Sequence, residues 1–127
     1  MQHNKELGMH ILLIQGEGDK RTALQTLLQE AGHQITVSTV PEEVESTAKD
    51  YDIVLLNHDE LPDDMGSSFI WCLRRQGVRT PIMVVTYMDT WSGKVSAFDS
   101  GADDYVASPI SDAVLLGRIQ LLAKRAA

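Results

Sequence analysis

Apolar runs alternate with polar, turn-forming stretches along this chain, and the period of each run predicts an element. Met9 to Ile14 is an unbroken apolar run, as expected of a buried strand. Gln15-Gly16-Glu17-Gly18 breaks it, and Asp19 is placed to cap a helix. Leu24, Leu27, Leu28 and Ala31 then recur at i, i+3, i+4 and i+7, one helical face, and Gly32 fits the C-cap. Ile35 to Val40 alternates as a short edge strand does. Pro41 fits the first position of a polar surface helix running to about Lys49, with Val44 and Ala48 inward. Asp52 to Leu56 is a third strand. A loop through Pro62 to Gly66 leads to a helix over Ser67 to Gln76, with Phe69, Ile70 and Leu73 available to the core. Pro81 to Thr86 is a fourth apolar strand. Trp91 to Ser100 is a weaker helix with Trp91, Val95 and Phe98 at i, i+4 and i+7, ended by Gly101. Asp104 to Ala107 is a short fifth strand. Pro109 turns into a last helix, Ser111 to Arg125, capped by Ser111, with Asp112 at its positive end and Leu115, Ile119 and Leu122 inward.

Five strands alternating with five helices predict an α/β fold, a parallel sheet covered on both faces. The 127 residues suit one domain with one adequate core. Residues 1–8 read as a flexible leader and 9–125 as the domain; no repeat or low-complexity tract interrupts it.

Composition narrows the partners. Eighteen acidic residues against eleven basic ones give a net charge of −7, which argues against direct nucleic-acid binding by this domain. Lys124-Arg125 is more simply a complement to the last helix's dipole. No apolar run approaches a membrane span of about 20 residues, and the polar start carries no secretory signal. The lone Cys72 has no internal partner, so a cytoplasmic setting is expected.

In open α/β sheets chemistry sits beyond the carboxyl ends of the strands. Asn57 stands at that end of the third strand. It is an amide, a poor nucleophile.

Several motifs carry a resemblance. Asp52-Ile-Val-Leu-Leu, Leu61-Pro62 with Gly66, Pro81-Ile-Met-Val-Val-Thr86, and Gly101-Ala-Asp-Asp-Tyr105 followed by Pro109 resemble, in order and spacing, the receiver domain of bacterial two-component response regulators. The likeness runs from about Met9 to Arg125. It implies a flavodoxin-like, doubly wound five-stranded parallel sheet of order 2-1-3-4-5. It also implies a site: an acidic pair after the first strand holding Mg²⁺, a phosphoacceptor aspartate ending the third, a Ser/Thr ending the fourth, and a Lys after the fifth.

This chain departs from that site at nearly every charged position. Gln15 and Gly16 occupy the acidic pair, Asn57 the phosphoacceptor and Ser108 the Lys position; only Thr86 remains. The resemblance therefore implies an atypical, phosphorylation-independent receiver with no cofactor, no metal and no enzyme activity. The register leaves alternatives. Four residues separate Asn57 from Pro62 where the family usually has three, so His58 takes the phosphoacceptor position when the alignment is anchored on Leu61-Pro62. Asp59 is a third candidate. Asp59, Glu60, Asp63 and Asp64 offer an improvised cation site or a solvated acidic loop, and Glu17 reads as a loop or cap residue.

Thr86 and Tyr105 match the family's switch pair, a hydroxyl and an aromatic that move together. The chain end resembles the winged-helix transcription-factor subfamily, whose fourth helix, fifth strand and fifth helix form a symmetric homodimer face. Asp104 and Arg118 match an intersubunit ion pair there, and Lys94 another basic position whose acidic partner is Val114 here. Trp91, Val95 and Val114 are candidates for apolar contact, with Val95 expected rather in the core. The implied function is a protein-interaction and dimerisation module regulating an attached or partner output domain. Two other readings stay open: a receiver phosphorylated on His58 or Asp59, and a small-molecule or flavin-binding flavodoxin-like domain. For the latter, Glu17 and Asp19 would repel a phosphate at the first loop.

Overall fold

The computed structural model describes residues 8–16, 22–39, 47–61, 65–87 and 89–126. Its strands are β1 (His10–Ile14), β2 (Gln34–Ser38), β3 (Ile53–Asn57), β4 (Ile82–Thr86) and β5 (Asp104–Ala107). The α-helices among the described residues are α1 (Ala23–Glu30), α2 (Met65–Arg75), α3 (Trp91–Ser100) and α4 (Asp112–Ala126). Single turns of 3-10 helix stand at Ala48–Asp50 and His58–Glu60. Four helices are thus described where five were expected. Residues 41–46 of the expected helix from Pro41 lie outside the described ones, and its end is the 3-10 turn. The expected leader (but for Gly8), the Asp19 cap, Val40 and the Pro62 turn also lie outside.

The sheet is parallel throughout in the order β2-β1-β3-β4-β5. Alternation along the central strands divides the core in two. Leu12, Ile14, Val54, Leu56, Ile82 and Val84 point toward Phe69, Ile70 and Leu73 of α2 and Ala97 of α3. Ile11, Leu13, Ile53, Leu55, Met83 and Val85 point toward Leu28 of α1 and Leu115, Ile119 and Leu122 of α4. Both faces are covered, so these strands are apolar at every position. The inner faces expected for α2 and α4 are the observed ones, and Ser111 Oγ accepts the Val114 N–H at 3.2 Å as a cap. The cap of α1 is Thr22, whose Oγ1 accepts from Gln25 N.

Helix α3 corrects one expectation. Val95, expected rather in the core, is 40% exposed, and Trp91 and Phe98 on the same stripe are 80% and 45% exposed. Ala97 is the buried residue of this helix, and Gly93 and Ser100, half-buried, share with it the same i, i+4, i+7 spacing. Small residues let the helix lie close to β5. A Cβ on Gly93 would stand 2.9 Å from the Tyr105 hydroxyl and 2.7 Å from Thr90 Oγ1, the helix's own cap. Gly101 ends α3 in the left-handed region at φ 119°, which a glycine adopts without strain.

Candidate functional site

The strand order reverses between β1 and β3, so the crevice beyond their carboxyl ends is where such a sheet binds or reacts. Gln15 leaves β1 there and Asn57 ends β3. Gln15 is 4% and Asn57 8% exposed, and they meet: Asn57 Nδ2 donates to Gln15 Oε1 at 3.2 Å. The Thr22 hydroxyl donates to the same oxygen at 3.1 Å, and Gln15 Nε2 donates to Gln25 Oε1 at 3.4 Å. Two amides, a hydroxyl and a third amide thus form a neutral hydrogen-bonded network across 42 residues of sequence.

A cavity of about 380 Å³ opens beside it, lined by Thr22, Asn57, Asp59, Thr86, Ser108 and Asp112 among others. Ser108 follows β5, and its N–H donates to the Thr86 carbonyl at 2.7 Å. Asn57 and Asp59 therefore line this cavity. His58 lines a second cavity of about 470 Å³ on the opposite face of the sheet, with Gly66, Ser67, Gly93 and Tyr105. Alternating directions along the chain at the strand end divide the three candidates in this way.

Asp59 engages the end of β4. Thr86 Oγ1 donates to Asp59 Oδ1 at 2.9 Å, and the Tyr87 N–H donates to Asp59 Oδ2 at 2.6 Å. Thr86 is buried, and Tyr105, the other half of the expected switch pair, is buried beneath α3.

Among the described residues, the network at Gln15 and Asn57 does not fit a magnesium ion. Gln15 Oε1 already accepts two hydrogen bonds, Asn57 turns a donor toward it, and Gly16 has no side chain. Among the described residues no group of three or more His, Cys, Asp or Glu is placed to hold a metal. Mg²⁺ wants hard, preferably anionic oxygens, and a neutral amide network offers none.

Away from the crevice, Asp104 and Arg118 pair within the chain. Arg118 Nε donates to Asp104 Oδ2 at 3.0 Å and Nη2 to Oδ1, a bidentate fork. Lys94 Nζ lies 3.4 Å from Asp89 Oδ1 and 5.9 Å from the Tyr105 ring centroid. Trp91, Val95 and Phe98 on α3 and Val114 and Leu121 on α4 are the exposed apolar groups of this region.

One structural residue escaped the sequence reading. Arg74, in the last turn of α2, donates from Nε to the Gly101 carbonyl at 3.0 Å. Its Nη1 donates to the carbonyls of Val78 and Thr80, each at 2.9 Å, and its Nη2 to Asp103 Oδ2 at 2.8 Å. A basic residue near a helix end reads as a dipole complement, and nothing local announces a fork spanning 27 residues. The Asp59–Thr86 bond escaped for the same reason.

A family model for the response regulator receiver domain matches residues 11–120. The chain belongs to the response regulator receiver domains. This receiver is 32% identical over 119 residues to the transcriptional regulatory protein PhoP of Escherichia coli K12, a match covering 92% of the chain and 53% of PhoP. The virulence transcriptional regulatory protein PhoP of Salmonella typhimurium LT2 matches at the same identity and coverage. The receiver thus spans about half the length of the curated relatives it matches. Among solved structures it resembles the BeF3-activated receiver domain of Klebsiella pneumoniae RstA, with a TM-score of 0.77 and 25% identity over 91% of this chain and 98% of that one. The receiver domain of the Francisella response regulator 1452 gives 0.76 and 26%, over 94% and 99%. No helix among the described residues is long and apolar enough to cross a membrane.

Proposed function

We propose that this receiver works without phosphorylation, as a protein-interaction and dimerisation module that regulates an attached or partner output domain from the cytoplasm. One observation carries the reading. Where phosphoryl transfer needs ionised carboxylates and a cation, Gln15, Asn57 and Thr22 form a neutral network, and Ser108 stands where a lysine is expected. An amide at Asn57 cannot attack a phosphoryl group, and nothing in the network anchors the metal that would neutralise one.

The interaction face is α3, β5 and α4. Its affinity rests on apolar contact, because Asp104 and Arg118 already satisfy each other within one chain. Exchanging that pair across a twofold axis gains little, exposed ion pairs being worth about 0–1 kcal/mol each. Trp91, Val95 and Val114 supply exposed apolar surface instead. PhoP's being a transcriptional regulator about twice this length supports an output domain that acts on transcription.

The test is incubation with a small phosphodonor and Mg²⁺, followed by intact mass and sedimentation. No adduct and an unchanged oligomeric state are expected. A stoichiometric phosphoryl adduct, whether on His58 or on Asp59, refutes the reading. Trp91→Ala is expected to lower the dimer fraction; a monomeric wild type that dimerises only with donor refutes constitutive association.

A further inference from the structure

The lining of the crevice cavity, about 380 Å³, is one-sided in charge. Its size lies in the range of small-molecule sites. Part of the wall is apolar, from Leu24 and Leu27 of α1 and Leu115 of α4. Asn57, Asp59, Ser108 and Asp112 are among the polar lining groups. Two of these are carboxylates, and no Lys, Arg or His stands among the described lining residues. Asp59 Oδ1 and Oδ2 each accept one hydrogen bond, from the Thr86 hydroxyl and the Tyr87 N–H, and each has room for a second. The Asp112 carboxylate enters none of the described ion pairs. It stands in the first turn of α4 and offsets the positive end of that helix, so the helix start does not draw an anion. Asn57 is the decisive group. It is 8% exposed, and its Nδ2 is committed to Gln15 Oε1. Its Oδ1 accepts no hydrogen bond from any described residue. Among the described residues no fully buried side-chain nitrogen or oxygen lacks a partner. That oxygen therefore reaches open space, and the space that Asn57 lines is this cavity.

We propose that the crevice binds a small organic cation, an amine or amidine with an apolar body. Its N–H groups donate to Asn57 Oδ1 and to the carboxylates of Asp59 and Asp112, and its body lies against Leu24, Leu27 and Leu115. Hydrogen bonds between ionised partners are the stronger kind, and an open acceptor in a nearly buried amide gains a donor. This deepens the phosphorylation-independent reading and rests on it: with Asn57 and Ser108 uncharged, neither a phosphoryl group nor a lysine competes for the space.

The probe is benzamidine, an aromatic amidinium, titrated into the whole chain and followed by two-dimensional ¹H–¹⁵N NMR. Benzamide and benzoate are the neutral and anionic molecules of the same shape. Benzamidine is expected to bind with a Kd of about 1 mM, moving the backbone amides of Thr22, Ser108 and Asp112 and the side-chain amide of Asn57. Benzamide is expected to bind about tenfold more weakly, and benzoate not at all. Asp112→Asn, at an exposed position, should weaken benzamidine about tenfold. Ser108→Lys, which brings a competing cation to the cavity, should abolish its binding, with circular dichroism checking that both variants fold. The wild-type series decides even if a variant does not fold. Equal affinity for all three molecules, shifts confined to other surfaces, or no shift with benzamidine overturns the proposal. So does displacement of benzamidine by Mg²⁺ alone, which makes the cavity an inorganic-cation site. The two readings fail separately. A phosphoryl adduct on the wild type refutes phosphorylation independence, whereas a silent benzamidine titration without any adduct refutes only the ligand site.

Discussion

Restoring a carboxylate at the end of β3 tests the crevice most directly, through Asn57→Asp. Asn57 Nδ2 is the donor to Gln15 Oε1 at 3.2 Å, in a site only 8% exposed. The substitution sets oxygen against oxygen and places a charge where the neighbours are neutral. A buried group left without its partner costs about 1–3 kcal/mol, more when charged. Gln15 can turn its amide to answer with Nε2, but it then gives up its bonds with Gln25 and Thr22. The expected net loss is about 2 kcal/mol, equivalent to a fall in Tm of roughly 6–10 °C for a domain of this size. The cost belongs to the ionised form. It is therefore expected to shrink as pH falls from 7 toward 4, where the protonated acid can donate to Gln15 Oε1 as the amide does. Thermal melts of variant and wild type across that range, followed by circular dichroism, measure the gap. A variant at least as stable as wild type at pH 7, or a gap that does not narrow in acid, refutes the reasoning. The variant is also expected to take no phosphoryl group from a small donor with Mg²⁺, because Gln15 and Gly16 still supply no carboxylate.

Arg74→Ala removes four hydrogen bonds, one of them to Asp103 and three to carbonyls, and should cost about 2–4 kcal/mol in urea denaturation. Arg74→Lys should recover little, since an ammonium lacks the planar fork. His33 Nδ1 accepts the Met9 N–H at 3.1 Å, and burial holds its pKa below the ordinary 6.5. The unfolded chain then binds that proton more readily, so the stabilisation is complete above about 6.5 and is lost as pH falls through the lowered folded value. Denaturation midpoints against pH should show this slope, and His33→Gln should flatten it. Gly93→Ala puts a Cβ against Thr90 Oγ1 and the Tyr105 hydroxyl and should cost about 1–3 kcal/mol. Unchanged Tyr105 NOEs in that variant would mean the contact is looser than described.

The strands and the covering of both sheet faces were legible because long-range burial leaves a local mark. Ile53–Leu56 and Ile82–Val85 are apolar at every position, which only a doubly covered strand requires. That Gln15, Gly16, Asn57 and Ser108 are uncharged was equally plain, since each is a residue identity at a countable place, whereas the register among Asn57, His58 and Asp59 was left open. The orientation of α3 was not. Trp91–Val95–Phe98 and Gly93–Ala97–Ser100 share one spacing, so the pattern did not say which stripe faces the sheet, and Val95 was expected on the wrong side.

By itself, then, the sequence determined the parallel α/β sheet and the residue types that stand at the strand ends. Periodicity and residue type are properties of the chain read locally. Only the tertiary structure decided that small residues, not large ones, seat α3 on the sheet, because close approach to Tyr105 leaves no room for a side chain. It alone separated Asn57 and Asp59 on one side of the sheet from His58 on the other. It alone brought Asp59 to Thr86 and Arg74 to Asp103, pairs 27 and 29 residues apart. Such hydrogen bonds depend on where strand ends meet in space, and no local pattern encodes that.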